Sequence, residues 1–256
     1  MATRLRGLTR RNADRPVPDE MTLAEHLGEL RRRLIISIVA VFAGGAVAFG
    51  FYPQILSFLQ HPYCQAVAGK AHHSCSLYVT GPLDGFSIRL KVAAYGGVFL
   101  SSPILLWQLW RFITPGLNPR EKRYAVPFIV ASIVLFVCGA VVAFYTFPHA
   151  LKFLISVGGP SLQEIYAPDK YLSLIILLMV AFGVAFEFPV LLVSLELAGV
   201  LSTAVLKAWR RRAIVIIFAL AAVITPSSDP FSMLALAVPM CIFYEGSILI
   251  GRLFKK

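Results

Sequence analysis

"MTLAEHLGELRRRLIISIVAVF", Met21 to Phe42, is the stretch from which the rest of the chain can be read. Two carboxylates, Glu25 and Glu29, come just before Arg31, Arg32 and Arg33, and the chain then runs straight into apolar sequence. Arginines followed by a long apolar run mark the inner mouth of a membrane span, because basic residues collect on the cytoplasmic side. The carboxylates are the anomaly. An acid at that mouth needs a cation, supplied either by the chain's own arginines or by something that arrives.

Composition supports a membrane protein throughout. Of 256 residues, 58% are hydrophobic and 14% charged, against about 45–50% and 25% for a soluble globular domain. A net charge of +11 raises the possibility of nucleic acid, but the placement of the charge excludes it. Of 24 Lys and Arg, 19 fall in four clusters, at 1–33, 111–124, 207–212 and 252–256, each flanking apolar sequence. That distribution is the positive-inside pattern of cytoplasmic loops.

Six spans are expected: Leu34–Phe51, Val92–Phe112, Ala125–Phe147, Tyr171–Gly199, Ala213–Ile224 and Phe231–Gly251. Both termini then lie on the cytoplasmic side, and 53–91, 148–170 and the "TPSSDP" turn face outward. The fold class is an all-α bundle of six transmembrane helices. Residues 1–20 form a basic disordered tail, 21–252 a single domain, and 253–256 a basic end. "AVA" at Ala46–Ala48 has the look of a cleavage site, but the long basic region before it favours an anchor. The fifth span has twelve apolar residues and reaches only about 18 Å at ~1.5 Å per residue, so the hairpin of spans five and six is short. The fourth has 29 and must tilt, or bend at Pro189, whose missing N–H frees the carbonyl of Ala185.

Four sites carry candidate chemistry. "TLAE" at Thr22–Glu25 fits a capping box. Leu23, Leu27, Leu30 and Leu34 form a stripe at helical spacing, which predicts an amphipathic helix over 22–33 on the inner surface. Glu29 can pair there with Arg32 or Arg33. In "WQLWRFITPGLNPREKR", Trp107–Arg123, "NPRE" reads as a helix start, with Asn118 as cap and Glu121 in the first turn. It again puts a carboxylate on the inner face. Glu187, within the fourth span, is an ionisable residue at a depth where charge is costly; Gln108, Ser101 or a partner's cation are its candidate partners. Asp229 is carried below the outer surface by the short hairpin. Cys64 and Cys75, both in the first outer stretch, are a candidate disulfide in an oxidising compartment. His72 and His73 beside them lack any metal-site spacing, and no metal or cofactor is expected.

Taken together, these stretches resemble TatC, the multi-spanning receptor subunit of the twin-arginine protein translocase. The resemblance rests on "EHLGELRRRL", "SSPILLWQLWRFITPGLNPREK", "AFGVAFEFPV" and "ITPSSDPFSMLALAVPMCIFYE", in that order along a six-span framework. It implies a cup-like helix bundle in the bacterial cytoplasmic membrane that hydrolyses nothing and uses the proton-motive force. It implies a cytoplasmic site that reads Arg-Arg signal peptides of folded cargo, with Glu29 and Glu121 facing those arginines and Arg31 and Phe112 shaping the site. Glu187 corresponds to an intramembrane polar residue on the concave face. The implied partners are single-span TatA- and TatB-type subunits and further copies of the chain. Met233 stands where many relatives carry Gln, and "SSDP" replaces a plainer turn, so the resemblance does not carry over the partner-helix contact there.

Three other readings compete with this one. An intramembrane serine protease lacks a Gly-x-Ser-x-Gly elbow and a histidine within a span. A six-span solute or proton transporter would rest on Glu187, Glu196 and Glu245, but no internal repeat supports it. A passive scaffold would tolerate loss of Glu29 and Glu121.

Overall fold

The computed structural model describes residues 23–67, 77–79, 81–113, 125–159, 167–197, 199–227 and 229–254. Eight helices make up nearly all of these, and no strand occurs among the described residues. They are α1 (Leu23–Gly50), α2 (Tyr52–Val67), α3 (Asp84–Ile113), α4 (Ala125–Gly158), α5 (Pro168–Ala185), α6 (Phe188–Leu197), α7 (Thr203–Ile224) and α8 (Pro230–Phe254). The six expected spans map onto α1, α3, α4, α5 with α6, α7, and α8. Five of them are long and apolar enough to cross a membrane on composition alone. The exception is α7, which is 22 residues long but carries Lys207 and Arg210–Arg212 in its first half.

Helices run further than the apolar segments that announce them. The inner-surface helix expected over 22–33 is not a separate element: α1 is one continuous helix of 28 residues, about 42 Å long at ~1.5 Å per residue. No proline interrupts it, so the Leu stripe flows into the span. The Thr22 end of the expected capping box lies outside the described residues, as do the 1–20 tail and the last two residues. Likewise α3 opens at Asp84 rather than Val92, and α4 runs to Gly158 rather than Phe147. Gly159, at φ +78, ends α4 in the left-handed geometry that glycine adopts without penalty.

The outer stretch 53–91 was expected as a loop, yet its first part is α2. Pro53 occupies the first turn of that helix, where a missing N–H costs nothing. One face of α2 buries Leu59, Pro62, Tyr63, Ala66 and Val67. Phe58 stacks on Phe144 of α4 with centroids 4.5 Å apart, and the Tyr171 hydroxyl donates to the Leu59 carbonyl at 2.6 Å. Lys91 of α3 meets Asp169 at 2.5 Å at the head of α5. These contacts seal the end of the bundle opposite the basic clusters. Cys64, near the end of α2, is disulfide-bonded, whereas Cys138 and Cys241 are free thiols; Cys75 lies outside the described residues.

The fourth span bends as its length required. Backbone turns at Phe186 and Glu187 separate α5 from α6, and Pro189 sits in the first turn of α6. Gly199, at φ +71, closes α6, with its N–H donating to the Glu196 carbonyl at 3.1 Å.

Most of the core lies between α4, α5 and α8 and includes Phe147, Leu172, Ile175, Phe182, Leu236 and Ile248. α1 stands at the edge, packed chiefly on α3 through small residues. A Cβ placed on Gly97 of α3 would lie 2.6 Å from the Val41 carbonyl oxygen and 2.9 Å from the Gly45 Cα of α1. The two backbones touch. In lipid, where apolar contact alone drives little association, such close approach is what holds a helix pair.

Candidate functional site

The basic ends of α1, α3, α7 and α8 and the start of α4 gather at one end of the bundle. Glu29 lies on α1 one helical turn before Arg33, and the two form an ion pair through Oε1 and Nη2. The other nitrogen, Nη1, reaches the backbone carbonyl of Gln108 in the last turns of α3 at 3.5 Å. Arg33 is largely buried, and its Nε has no hydrogen-bond partner among the described residues. The guanidinium is thus wedged between an acid and a carbonyl. Of the two partners expected for Glu29, Arg33 at i+4 is the one observed. Arg31, two residues from Glu29 and so on another face of the helix, is exposed. Phe112 is half-buried at the end of α3. Glu121 lies outside the described residues, in the connection that joins the end of α3 to the start of α4.

Trp110 links those two helices. Its ring stacks on Phe128 of α4 at 5.3 Å with an interplanar angle of 13°, and it shares a cluster with Ile129 of α4 and Val190 of α6. Its Nε1–H donates to the Ser132 hydroxyl at 2.6 Å. Trp107, one turn earlier, is exposed, as an interfacial tryptophan should be.

Glu187 sits in the α5–α6 break and is 8% exposed. The expected partners, Gln108 and Ser101, make no hydrogen bond with it among the described residues: the Ser101 hydroxyl turns back onto the Val98 carbonyl at 3.3 Å, and the Glu187 Oε1 has no partner there. Sequence reasoning missed Ser132, one serine in an apolar run, which only the packing of α4 on α3 brings to the Trp110 indole.

The other acids separate by role. Asp229 is buried because it caps α8: Oδ1 accepts the Ser232 N–H at 2.7 Å and Oδ2 the Ser227 hydroxyl. Glu245 pairs with Arg210 across the α7–α8 contact at 2.6 Å. Glu196 is buried against α8, its carboxyl lying over Gly251, with neither oxygen hydrogen-bonded among the described residues. No group of three or more His, Cys, Asp or Glu able to hold a metal occurs among the described residues.

The family profile "Sec-independent protein translocase protein (TatC)" matches residues 25–239, from the α1 acid site to the middle of α8. The chain belongs to the TatC family. A Sec-independent protein translocase protein TatC from Frankia casuarinae is 45% identical over 240 residues, covering 91% of this chain and 66% of that longer protein. The TatC protein from Aquifex aeolicus is 39% identical over 239 residues, covering 92% of this chain and 97% of that one. A crystal structure described as the twin arginine translocase receptor TatC superposes with a TM-score of 0.73 at 37% identity, over 89% of this chain and 99% of the other. TatC membership makes the chain a multi-pass membrane component of a Sec-independent protein translocase, with a transport role and not an enzymatic one. The protease reading and the solute-transporter reading are set aside accordingly.

Proposed function

We propose that this chain is the receptor that reads two consecutive arginines in the signal peptide of a folded cargo, with Glu29 and Glu121 as the acids that meet them. The observation that carries the reading is that the Glu29 site already holds a guanidinium. Arg33 occupies the carboxylate in the way an incoming arginine would, and it is steadied by the Gln108 backbone carbonyl. A planar guanidinium pairs with a carboxylate through two parallel hydrogen bonds, a geometry that an ammonium lacks. A site built from two such acids therefore favours Arg-Arg over Lys-Lys. The solved relatives are themselves described as a twin arginine translocase receptor, which supports the same role here.

On this reading the basic end faces the cytoplasm, with both termini, and the disulfide-bearing α2 faces the oxidising exterior. Arg31 and Phe112 flank the acid pair: Arg31 as an exposed cation beside the peptide, Phe112 as an apolar wall at the end of α3. The partners are single-span TatA- and TatB-type subunits, packing on apolar faces that α1 and α7 leave exposed. The apolar half of α7 is too short for a full crossing, and a thinned bilayer beside it eases the opening of a path driven by the proton-motive force.

The test is binding of signal peptides to the chain in nanodiscs. Tighter binding of an Arg-Arg peptide than of its Lys-Lys counterpart is expected, by tenfold or more on the basis of charge-assisted hydrogen bonds of roughly 1.5–3 kcal/mol. Equal affinity for the two would overturn the receptor reading.

A further inference from the structure

We propose that the groove between α6, α7 and α8 seats one acyl chain of an anionic phospholipid, with Arg212 taking the headgroup phosphate. Val205, Leu206, Ile216 and Ile217 of α7 face Phe188 of α6 and Tyr244 of α8 across a space of about 320 Å³. Its floor presents only carbon. Leu206, Ile217 and Tyr244 are buried, and the Tyr244 hydroxyl is spent on the Leu206 carbonyl at 2.7 Å. Its rim is open, with Val205, Ile216 and Leu220 all exposed. From Val205 to Leu220 the groove follows α7 for about 22 Å at ~1.5 Å per residue, enough for one leaflet of a bilayer with ~30 Å of hydrocarbon. That volume over that length leaves a cross-section of roughly 15 Å², the width of a hydrocarbon chain. An α-helix with its side chains, about 10–12 Å across, does not enter.

The charges at the head of the groove decide which lipid it takes. Basic residues are general to cytoplasmic mouths, so charge alone selects nothing; its position relative to the groove does. Arg210, Arg211 and Arg212 follow one another at about 100° round α7 and are not equivalent. Arg210 turns to α8 and is neutralised by Glu245 at 2.6 Å. Arg211 and Lys207 fall on the side of α7 away from the groove. Arg212 falls on the groove side, its guanidinium 5.1 Å over the ring of Trp209, which lines the groove. No acid occurs in α7, and among the described residues none pairs with Arg212. Stacking uses the flat face of a guanidinium and leaves its N–H edge for an oxyanion. Side chains on a helix lean towards its N-terminus, which carries Arg212 back to the level of Trp209, where headgroups lie. A basic pocket between spans at the inner surface is a form in which acidic headgroups are held. Val215, on the opposite side of α7, is also exposed and is left for a single-span partner.

The experiment equilibrates the full chain in micelles with equal amounts of phosphatidylglycerol and phosphatidylcholine of the same chain length. Native mass spectrometry then reads which lipid stays bound. Phosphatidylglycerol is expected to be retained over phosphatidylcholine by about fivefold, the contribution of one basic side chain at a lipid surface. Arg212→Gln, a change at an exposed side chain that leaves the core intact, is expected to bring that ratio to about one. Lys207→Gln and Arg211→Gln are expected to leave it in place. Ile216→Trp, which fills the groove, is expected to lose the bound lipid of either kind. Equal losses of preference in all three charge variants would mean a diffuse attraction to the basic end and would overturn the proposal. Lipid retained in full by Ile216→Trp would place it elsewhere, with the same consequence. Displacement of the lipid from the wild-type chain by an added apolar single-span segment would give the groove to a partner helix and overturn it as well.

Discussion

Replacing Gly97 by alanine tests how α1, and with it the Glu29 site, is held. The added methyl would stand 2.6 Å from the Val41 carbonyl oxygen, 2.8 Å from the Gly45 nitrogen and 2.9 Å from the Gly45 Cα. All three are backbone atoms, so no side chain can rotate out of the way. Restoring an ordinary contact of 3.4 Å at the carbonyl requires α1 to retreat by about 0.8 Å, the difference from 2.6 Å. Overpacking of this kind costs about 1–3 kcal/mol, offset by the ~1 kcal/mol that alanine gains over glycine within a helix. A net loss of up to about 2 kcal/mol follows. It should appear as a lower unfolding midpoint in mixed micelles. Gly246→Ala, where a Cβ meets nothing within 4 Å, is the matched control and should be neutral or stabilising. The retreat would also carry Glu29 of α1 away from the end of α3, so Arg-Arg peptide binding should weaken in Gly97→Ala and not in the control. Equal stability and equal binding of the two variants would refute the argument that backbone contact with α3 fixes α1.

Asp229→Ala should cost about 0.5–2 kcal/mol through the lost cap of α8. Asp229→Ser, which restores a capping oxygen, should recover most of that in thermal unfolding; failure to recover would mean that the charge, not the cap, is what the position needs. Tyr171→Phe removes the hydrogen bond to the Leu59 carbonyl and should lower stability by about 1 kcal/mol, with no effect on peptide binding. Arg33→Gln removes the guanidinium that competes for Glu29, and titration should show about twofold tighter Arg-Arg peptide binding, the scale of an i,i+4 ion pair; weaker binding would show that Arg33 orders the acid instead of holding its place. Peptide mapping without reductant should recover a fragment pair joining Cys64 to Cys75, while Cys138 and Cys241 take up an alkylating agent.

The six crossings were legible because hydropathy and the basic clusters act over long stretches, and lipid imposes both. The bend in the fourth span was legible too, since 29 residues with a proline among them cannot make one upright helix. Helix ends were not. Apolar composition stops where lipid stops, but a backbone hydrogen-bond ladder continues until glycine or a turn ends it, as at Gly159. Arg89 and Lys91 hid the start of α3 because they read as loop charges. In the fold Arg89 lies 4.2 Å over the Phe49 ring and Lys91 pairs with Asp169. At the candidate site, Glu29 and Glu187 stood out as acids where acids are costly. Arg33 was visible as a neighbour one turn away, but its second hold on Gln108 depends on α1 crossing α3. Ser132 was invisible, because a serine gains its meaning from Trp110, 22 positions away, which only the packing of α4 on α3 brings near.

The central claim is that Glu29 and Glu121 are the acids that distinguish arginine from lysine. The most direct measurement is the ratio of Arg-Arg to Lys-Lys peptide affinities in nanodiscs for the wild-type chain, Glu29→Gln and Glu121→Gln. Each substitution removes a charge-assisted contact and is expected to lower Arg-Arg affinity by roughly tenfold or more, bringing the ratio towards one, while Lys-Lys binding changes less. A ratio that survives both substitutions would contradict the account and leave Glu29 as a surface partner of Arg33.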